Sequence, residues 1–254
     1  KRVHWNLLIR LGEGGFESTQ AAGAFIILLT QTNKSPLPDD TLNGIDASAP
    51  RSAQEKASSL RKNSIQSVVQ KAQLANPDAR VSLEAGSSIP PLSELAVSYQ
   101  GICTGDSPRF NKLFWEIKIP SDGWVFQATS VLDTSEFSGR EMVFYWQDGE
   151  GEYREYLYER LGETGHSAWV RGLEGWGKNG VLVTQMRELS ATLYSGTSFD
   201  NNAAIIIPKD PSDLPAIWAF VSSPSFNIEV RKVDQKLNVT GGTLVKVPFD
   251  KAYW

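Results

Sequence analysis

The chain is poor in the residues that build covalent or metal-centred sites: of 254 residues one is cysteine, two are histidine and two are methionine. Cys103 has no partner for an internal disulfide, and with His4 and His166 it makes no set of ligands spaced for a transition metal. Long apolar runs are missing too. The greasiest stretch, Ala21 to Leu29, is strand-sized and far short of the ~20 residues that a membrane helix needs. Lys1-Arg2 opens onto an alternating pattern, not the apolar core of a signal peptide. These absences lead to the expectation of a cytoplasmic protein with no membrane partner, in which the sequon Asn238-Val-Thr240 is a chance match.

An excess of basic charge is also lacking. Lysine and arginine number 25 against 29 acidic residues, a net charge of −4 that does not announce a nucleic-acid binder. The distribution says more than the sum. Asp133 to Glu163 is acidic, relieved by Arg140, Arg154 and Arg160, whereas Thr164 to Lys209 sets Arg171, Lys178, Arg187 and Lys209 against Glu174, Glu188 and Asp200. An anionic partner is expected at the second stretch or at Arg109.

What is present is one informative loop. In Gly101-Ile-Cys-Thr-Gly-Asp-Ser-Pro-Arg-Phe110, glycines 101 and 105 permit left-handed or closely approached backbone. Thr104 and Asp106 can order a turn, and Arg109 offers a planar fork of donors for a phosphate or a guanine edge. A glycine turn between two strands reads the same way without a ligand. Phe110, Leu113, Phe114 and Trp115 are expected to anchor the strand that follows.

Punctuation divides the chain into three regions. Within residues 1–34, Val3 to Ile9 and Gly23 to Thr30 read as strands, the second so continuously apolar that burial on both faces is expected. Residues 35–92 read as a linker: a Pro/Asp/Ser/Asn-rich stretch to Pro50, one helix over Ser52 to Leu74 stopped by Asn76-Pro-Asp78, and a boundary at Ile89-Pro-Pro91. Residues 93–254 read as one β-rich domain. Ser93 to Tyr99 is a short helix or turn and Phe114 to Ile119 a strand, with Val125-Phe126 and Met142 to Tyr145 as short segments. Tyr153 to Leu161 fits helix or strand. Gly180 to Met186 and Ala203 to Ile207 are firmer strands. Helices are expected over Asp213 to Val221 and Phe226 to Leu237, and a last strand over Thr243 to Val247.

Hydrolytic chemistry finds little support. His4 and His166 lack a nucleophile-elbow setting, and Asp148, Glu150 and Glu152 read as a solvated acidic turn. Gly12-Glu-Gly-Gly15 is not followed by the residues of a phosphate loop. Tryptophans 115, 124, 146, 169, 176 and 218 read mostly as packing. Trp176 differs, because Gly175-Trp-Gly-Lys178 sets it beside a cation where it could stack on a base.

The order of the Gly101–Phe110 loop, Lys178-Asn-Gly-Val-Leu-Val-Thr-Gln-Met186, Ile217-Trp-Ala-Phe-Val-Ser-Ser-Pro-Ser-Phe226 and Leu244-Val-Lys-Val-Pro-Phe249 resembles the target-recognition half of adenine-specific DNA methyltransferases. Large restriction-modification enzymes and BREX-type phage-defence systems have this half. The resemblance covers about Leu92 to Trp254. Leu7 to Gln31 is similar to the last strand pair of the methyltransferase sheet. It implies an α+β chain: a β-rich recognition domain with C-terminal helices, preceded by a helical linker and a two-strand remnant of the catalytic sheet.

It also implies double-stranded DNA as partner, together with the remainder of the methyltransferase or a partner chain. On that reading the Gly101 to Ser107 loop, with Thr104, Gly105 and Asp106, joins Arg109, Lys112, Lys178, Arg187 and Arg231 on phosphates. Gln185, Arg187 and Asn201 or Asn202 are candidate base readers. A separate specificity subunit, or a protein-interaction module using the acidic stretch as a DNA mimic, is the alternative. The family's acidic-Pro-Ala-Cys-Gly-x-Gly or Phe-x-Gly-Gly donor loop and its Asn-Pro-Pro-Tyr/Phe loop do not occur, so no cofactor and no catalytic residue is expected in this chain, although the complete enzyme would use S-adenosylmethionine. Calorimetric titration of the chain with S-adenosylmethionine should therefore give no stoichiometric micromolar site. A saturating isotherm would show a donor pocket built from residues outside those motifs.

Overall fold

The computed structural model describes residues 3–16, 18, 20, 23–76, 81–83, 89–118 and 122–254. The chain divides into two compact units, Lys1–Ser88 and Ile89–Trp254. The fold is α+β, and the described strands lie in three four-stranded sheets. Pro77 and Asp78, expected to stop the linker helix, and Ile119, the expected end of a strand, lie outside the described residues.

The first unit is a sheet in the order β2-β1-β3-β4, made of β1 (His4–Gly12), β2 (Ile26–Thr32), β3 (Thr41–Asp46) and β4 (Gln66–Val69). Helix α1 (Ala53–Lys62) lies between β3 and β4 in sequence. β1 pairs antiparallel with β2 and parallel with β3, and β3 pairs antiparallel with β4. The strand pair therefore does not stand alone, because the segment expected to be a linker supplies β3 and β4.

The helix expected over Ser52 to Leu74 ends at Lys62. Ser52 starts it well, its Oγ accepting from the Glu55 amide and donating to the Glu55 carboxylate. Asn63 is already extended, and beyond it Ile65, Val68 and Val69 are β-branched residues for which the open edge of β3 offers a better place than a helix. β2 also departs from expectation. It is the edge of the sheet, not an inner strand, and Ile27 and Leu28 are 60% and 51% exposed.

The second unit contains, in chain order, β5 (Ala96–Gln100), α2 (Ser107–Phe110), β6 (Asn111–Leu113), β7 (Trp124–Ala128), β8 (Met142–Tyr145), α3 (Glu152–Gly165), β9 (Gly180–Thr184), β10 (Ala191–Tyr194), β11 (Ser198–Phe199), β12 (Ala203–Pro208), α4 (Leu214–Val221), α5 (Pro224–Val233) and α6 (Gly241–Leu244). The central antiparallel sheet has the order β10-β9-β12-β5, and a smaller sheet has the order β11-β7-β8-β6.

Both faces of the central sheet are covered, which is why its middle strands read as unbroken apolar runs. Val181, Val183, Ala204 and Ile206 share a core with Ile217, Phe220, Phe226 and Val230 of α4 and α5. Leu182, Ala203, Ile205 and Ile207 form another with Tyr194 and Phe199. A third core joins the small sheet to α3, where Tyr153 and Leu157, one helical turn apart, meet Ile102, Phe110 and Phe144. Tyr153 to Leu161 is thus helical, and a left-handed Gly162 kinks the helix just after it.

Local structure departs from expectation at the chain's junctions. A turn over Leu92–Glu94 precedes β5, so most of Ser93 to Tyr99 is strand. The strand expected over Phe114 to Ile119 lies earlier, at β6, and Phe114–Glu116 is a tight turn. Of its expected anchors Phe110 is buried, but Phe114 and Trp115 are 41% and 60% exposed. The last helix before α6 ends at Val233, not Leu237. Thr243 to Val247 is not a strand: α6 occupies its start, and the Val245 and Val247 carbonyls accept from the Ser93 and Leu92 amides at 2.7 and 2.9 Å.

One side chain ties together the ends of the parallel strands of the first unit. Lys56 is 2% exposed, and its Nζ donates to Leu11 O at 2.6 Å, to Ala47 O and Ser48 O at 3.3 Å, and to Pro50 O. Burial lowers its pKa. The ammonium satisfies carbonyls at the end of β1 and just after β3. Lys56→Met keeps the stem and removes the donors, so it should destabilise the first unit by about 1–3 kcal/mol, read as a lower denaturant midpoint.

Candidate nucleic-acid interface

β5 and β9 both run antiparallel to β12, so the ends of β5 and β9 and the start of β12 meet at one edge of the central sheet. That edge gathers Gly101, Gln185, Arg187, Asn201 and Asn202, with Arg231 reaching it from α5. Lys178 and Trp176 precede β9 and lie toward its other end, and Lys112 is on β6. The thirteen sequence candidates thus do not form a single surface.

The glycine loop works mainly as internal wiring. A side chain at Gly101 would overlap the carbonyl oxygens of Phe199 and Asp200. The Ile102 and Cys103 amides donate to Phe199 O at 2.9 Å and Trp169 O at 3.0 Å. Gly105, at φ 71°, sits against the Trp169 ring, and Thr104 Oγ1 lies 3.2 Å from Ser107 Oγ. Asp106 caps α2. Arg109 bonds the Glu152 carboxylate through Nε at 2.7 Å and Nη2 at 2.6 Å, its guanidinium 4.9 Å from the Phe110 ring. The expectation that Arg109 and the first loop amides hold phosphate is corrected accordingly: their donors join the loop to α3, to β11 and to Trp169.

Gln185 is corrected as well. It is 1% exposed, donates through Nε2 to Val239 O at 2.9 Å and accepts through Oε1 from Gln100 Nε2 at 2.8 Å. Both bonds are spent inside the fold, and burial keeps the rest of the carboxamide from a base edge. Gln100 Nε2 also reaches Asn201 O at 3.0 Å. Trp176 is half-buried and meets Trp146 edge-on at 5.3 Å, so its ring serves packing.

Arg187 is the candidate that the fold presents outward. It is exposed, and the turn from β9 to β10 holds both Arg187 and Leu189 at positive φ, 54° and 57°. Neither is glycine, so the turn is strained. α5 clamps it: Arg231 Nη2 donates to Arg187 O at 2.6 Å, and Asn227 Nδ2 donates to Glu188 O at 2.9 Å. Arg231, expected on phosphate, instead fixes the peptide that carries Arg187, and burial lowers its pKa. Asn202 is exposed beside this edge and Asn201 half-exposed.

Among the described residues, Lys112, Lys178 and Arg187 make no side-chain ion pair or hydrogen bond, unlike Arg109 and Arg231. Sequence reasoning missed Asn227, which no local pattern marks, and the buried carboxyl of Asp200. For Asp200 the Asp-Asn-Asn run before a strand was a visible Asx-turn signal: its Oδ1 accepts from the Asn202 amide at 3.0 Å.

No family model matches the chain, and no curated protein matches its sequence. Among solved structures, the Type IIL restriction-modification enzyme MmeI in complex with DNA is similar over 98% of this chain and 34% of its own, at 12% identity and a TM-score of 0.47. The chain spans about a third of that enzyme's length.

Burial pushes the Asp200 carboxyl up to about 6, against the pull of the Asn202, Ala203 and Ser130 amides. The folded protein keeps a proton that the unfolded chain releases near 3.8, so this contribution to stability is complete below about pH 4 and lost as pH rises through about 6. Asp200→Asn should flatten that part of the stability–pH curve by on the order of 3 kcal/mol relative to the parent, measured by urea unfolding at stepped pH. Parallel curves for the two proteins would contradict the assignment.

Proposed function

We propose that the chain recognises double-stranded DNA as the C-terminal part of a site-specific adenine-N6 DNA methyltransferase of the restriction-modification or phage-defence kind. The observation that carries this reading is the clamped turn. A strained, non-glycine turn held from beneath by Arg231 and Asn227 displays one uncommitted arginine next to two asparagines. Arginine and asparagine are the side chains that read guanine and adenine edges in a major groove by paired bonds. Lys178, also uncommitted, serves a phosphate. The order of the four recognition motifs supports the same assignment.

The first unit fits the role of strands at the edge of a catalytic sheet, since β2 is apolar on both faces and bare along one edge. We assign no methyl-transfer step to this chain. The residues do not fit S-adenosylmethionine: the glycines after β1 lack the donor motif, and the carbonyls around them are turned to the Lys56 ammonium. The DNA-mimic alternative draws less support, because within the acidic stretch Glu152 is paired with Arg109 and Glu150 with Arg154.

Duplex binding by the chain tests the reading. Lys178→Ala should weaken binding at all sequences and lower the slope of log affinity against log salt by about one. Arg187→Ala should relax discrimination at one base pair by about 1–3 kcal/mol in a competition series over single-substituted duplexes. Parent-like discrimination by Arg187→Ala would remove this edge as the DNA face, and parent-like binding by Lys178→Ala would remove Lys178 from the phosphate contacts.

A further inference from the structure

One side of the small sheet carries exposed rings around a buried Val143, where a solvent-facing sheet ordinarily carries polar side chains. Cross-strand register places Lys112, Val143 and Phe126 in one row of β6, β8 and β7, and the next row, holding the buried Asn111 and Phe144, points to the opposite face. Phe114 continues the ladder, its amide donating to Glu141 O at 2.8 Å. The Phe114 ring lies 6.4 Å from that of Phe126 and 4.9 Å from that of Trp115. These three rings are contiguous and 41–60% exposed, so the core does not need them.

Phe126 is also one wall of a cavity of about 220 Å³, lined in addition by Arg140, Thr192, Tyr194 and Ser195 among others. Arg140 donates one guanidinium nitrogen to Leu193 O at 2.9 Å. The volume suits a single planar ring better than a drug-sized ligand. Aromatic rings alone would suit a protein partner equally well. Lysine, however, is depleted at the centres of protein interfaces, while nucleobases stacked on rings bring phosphates that require cations. Lys112 stands in the row itself and Arg140 beside Phe126, and the nearby Glu116 carboxylate is turned back to the Leu113 amide. Glu141, beside Phe114, is the opposing charge.

We propose that this face binds unpaired single-stranded DNA, with bases stacked on Phe126, Phe114 and Trp115 and phosphates on Lys112 and Arg140. It is a different surface from the Arg187 edge, and only its choice of DNA over RNA rests on the duplex-reading proposal.

The test is fluorescence anisotropy of labelled oligothymidylate titrated with the full chain, with oligouridylate as a second probe and a mixed-sequence duplex as a third. Saturable oligothymidylate binding is expected, weakened about tenfold or more by Phe126→Ala and retained by Phe126→Tyr, which keeps the ring. Glu141→Gln should tighten it. Equal melting curves for parent and Phe126→Ala exclude unfolding as the cause, and Phe126→Ala should leave duplex affinity unchanged where Arg187→Ala alters it. Tighter binding of oligouridylate would transfer the site to RNA and overturn the DNA assignment. Absence of oligothymidylate binding at low salt, or parent-like binding by Phe126→Ala, overturns the proposal. So does a self-association in sedimentation that Phe126→Ala abolishes without any strand binding, since the face would then be a protein contact.

Discussion

The buried carboxamide of Gln185 bonds two separate segments, and the second unit is organised around that fact. Its side chain takes a donor from Gln100 and gives one to Val239, while its backbone amide donates to Asn202 O and its carbonyl accepts from the Val239 amide. The ends of β5 and β9, the start of β12 and the segment between α5 and α6 are therefore held at fixed separation by one buried group. In a medium of low polarity such bonds strengthen each other, and an unmade one costs heavily. Gly101 completes the junction by letting the chain pass directly over Phe199 and Asp200.

From that anchor the polypeptide leaves β9 into its left-handed turn with little choice of direction. Each left-handed non-glycine residue costs on the order of 1–3 kcal/mol, and the bonds from Arg231 and Asn227 are the compensation visible in the structure. Cations in this unit consequently fall into two kinds. Arg109 and Arg231 are spent on fixing peptide and helix; Lys112, Lys178 and Arg187 are held where their charge meets water. Residue type alone does not separate the two kinds, which is why the glycine loop looked like a ligand cradle and proved to be a joint.

What the sequence made legible was the part governed by local pattern. Apolar runs of β-branched residues marked β9 and β12, and the expected helices over Ser52 to Leu74 and Asp213 to Val221 begin where α1 and α4 begin. Reading failed where a partner strand or a long-range bond decided. Ile65, Val68 and Val69 fit a helix face until β3 offers an edge, and Thr243 to Val247 fits a strand until Gly241 must pack against Ser98 and Ala204. The candidate surface was legible in part: Arg187, Asn201 and Asn202 were found by chemistry and do share one edge. Gln185 has the same chemistry but points inward, a consequence of strand alternation that a turn immediately after β9 made hard to phase. The clamp from Asn227 lies some forty positions away in sequence, and no spacing rule reaches it.

β2 has a consequence for how the chain behaves as a substance. Ile26-Ile-Leu-Leu-Thr-Gln-Thr32 contains no charge and no proline, and it lies at the border of its sheet with backbone donors and acceptors facing outward. Proteins commonly defend such borders with lysines, prolines or bulges that deter a second strand from adding. This segment holds no charge or proline, and the bulges in its pairing lie on β1, so its solubility depends on being covered, and an uncovered copy is a template on which other copies can polymerise.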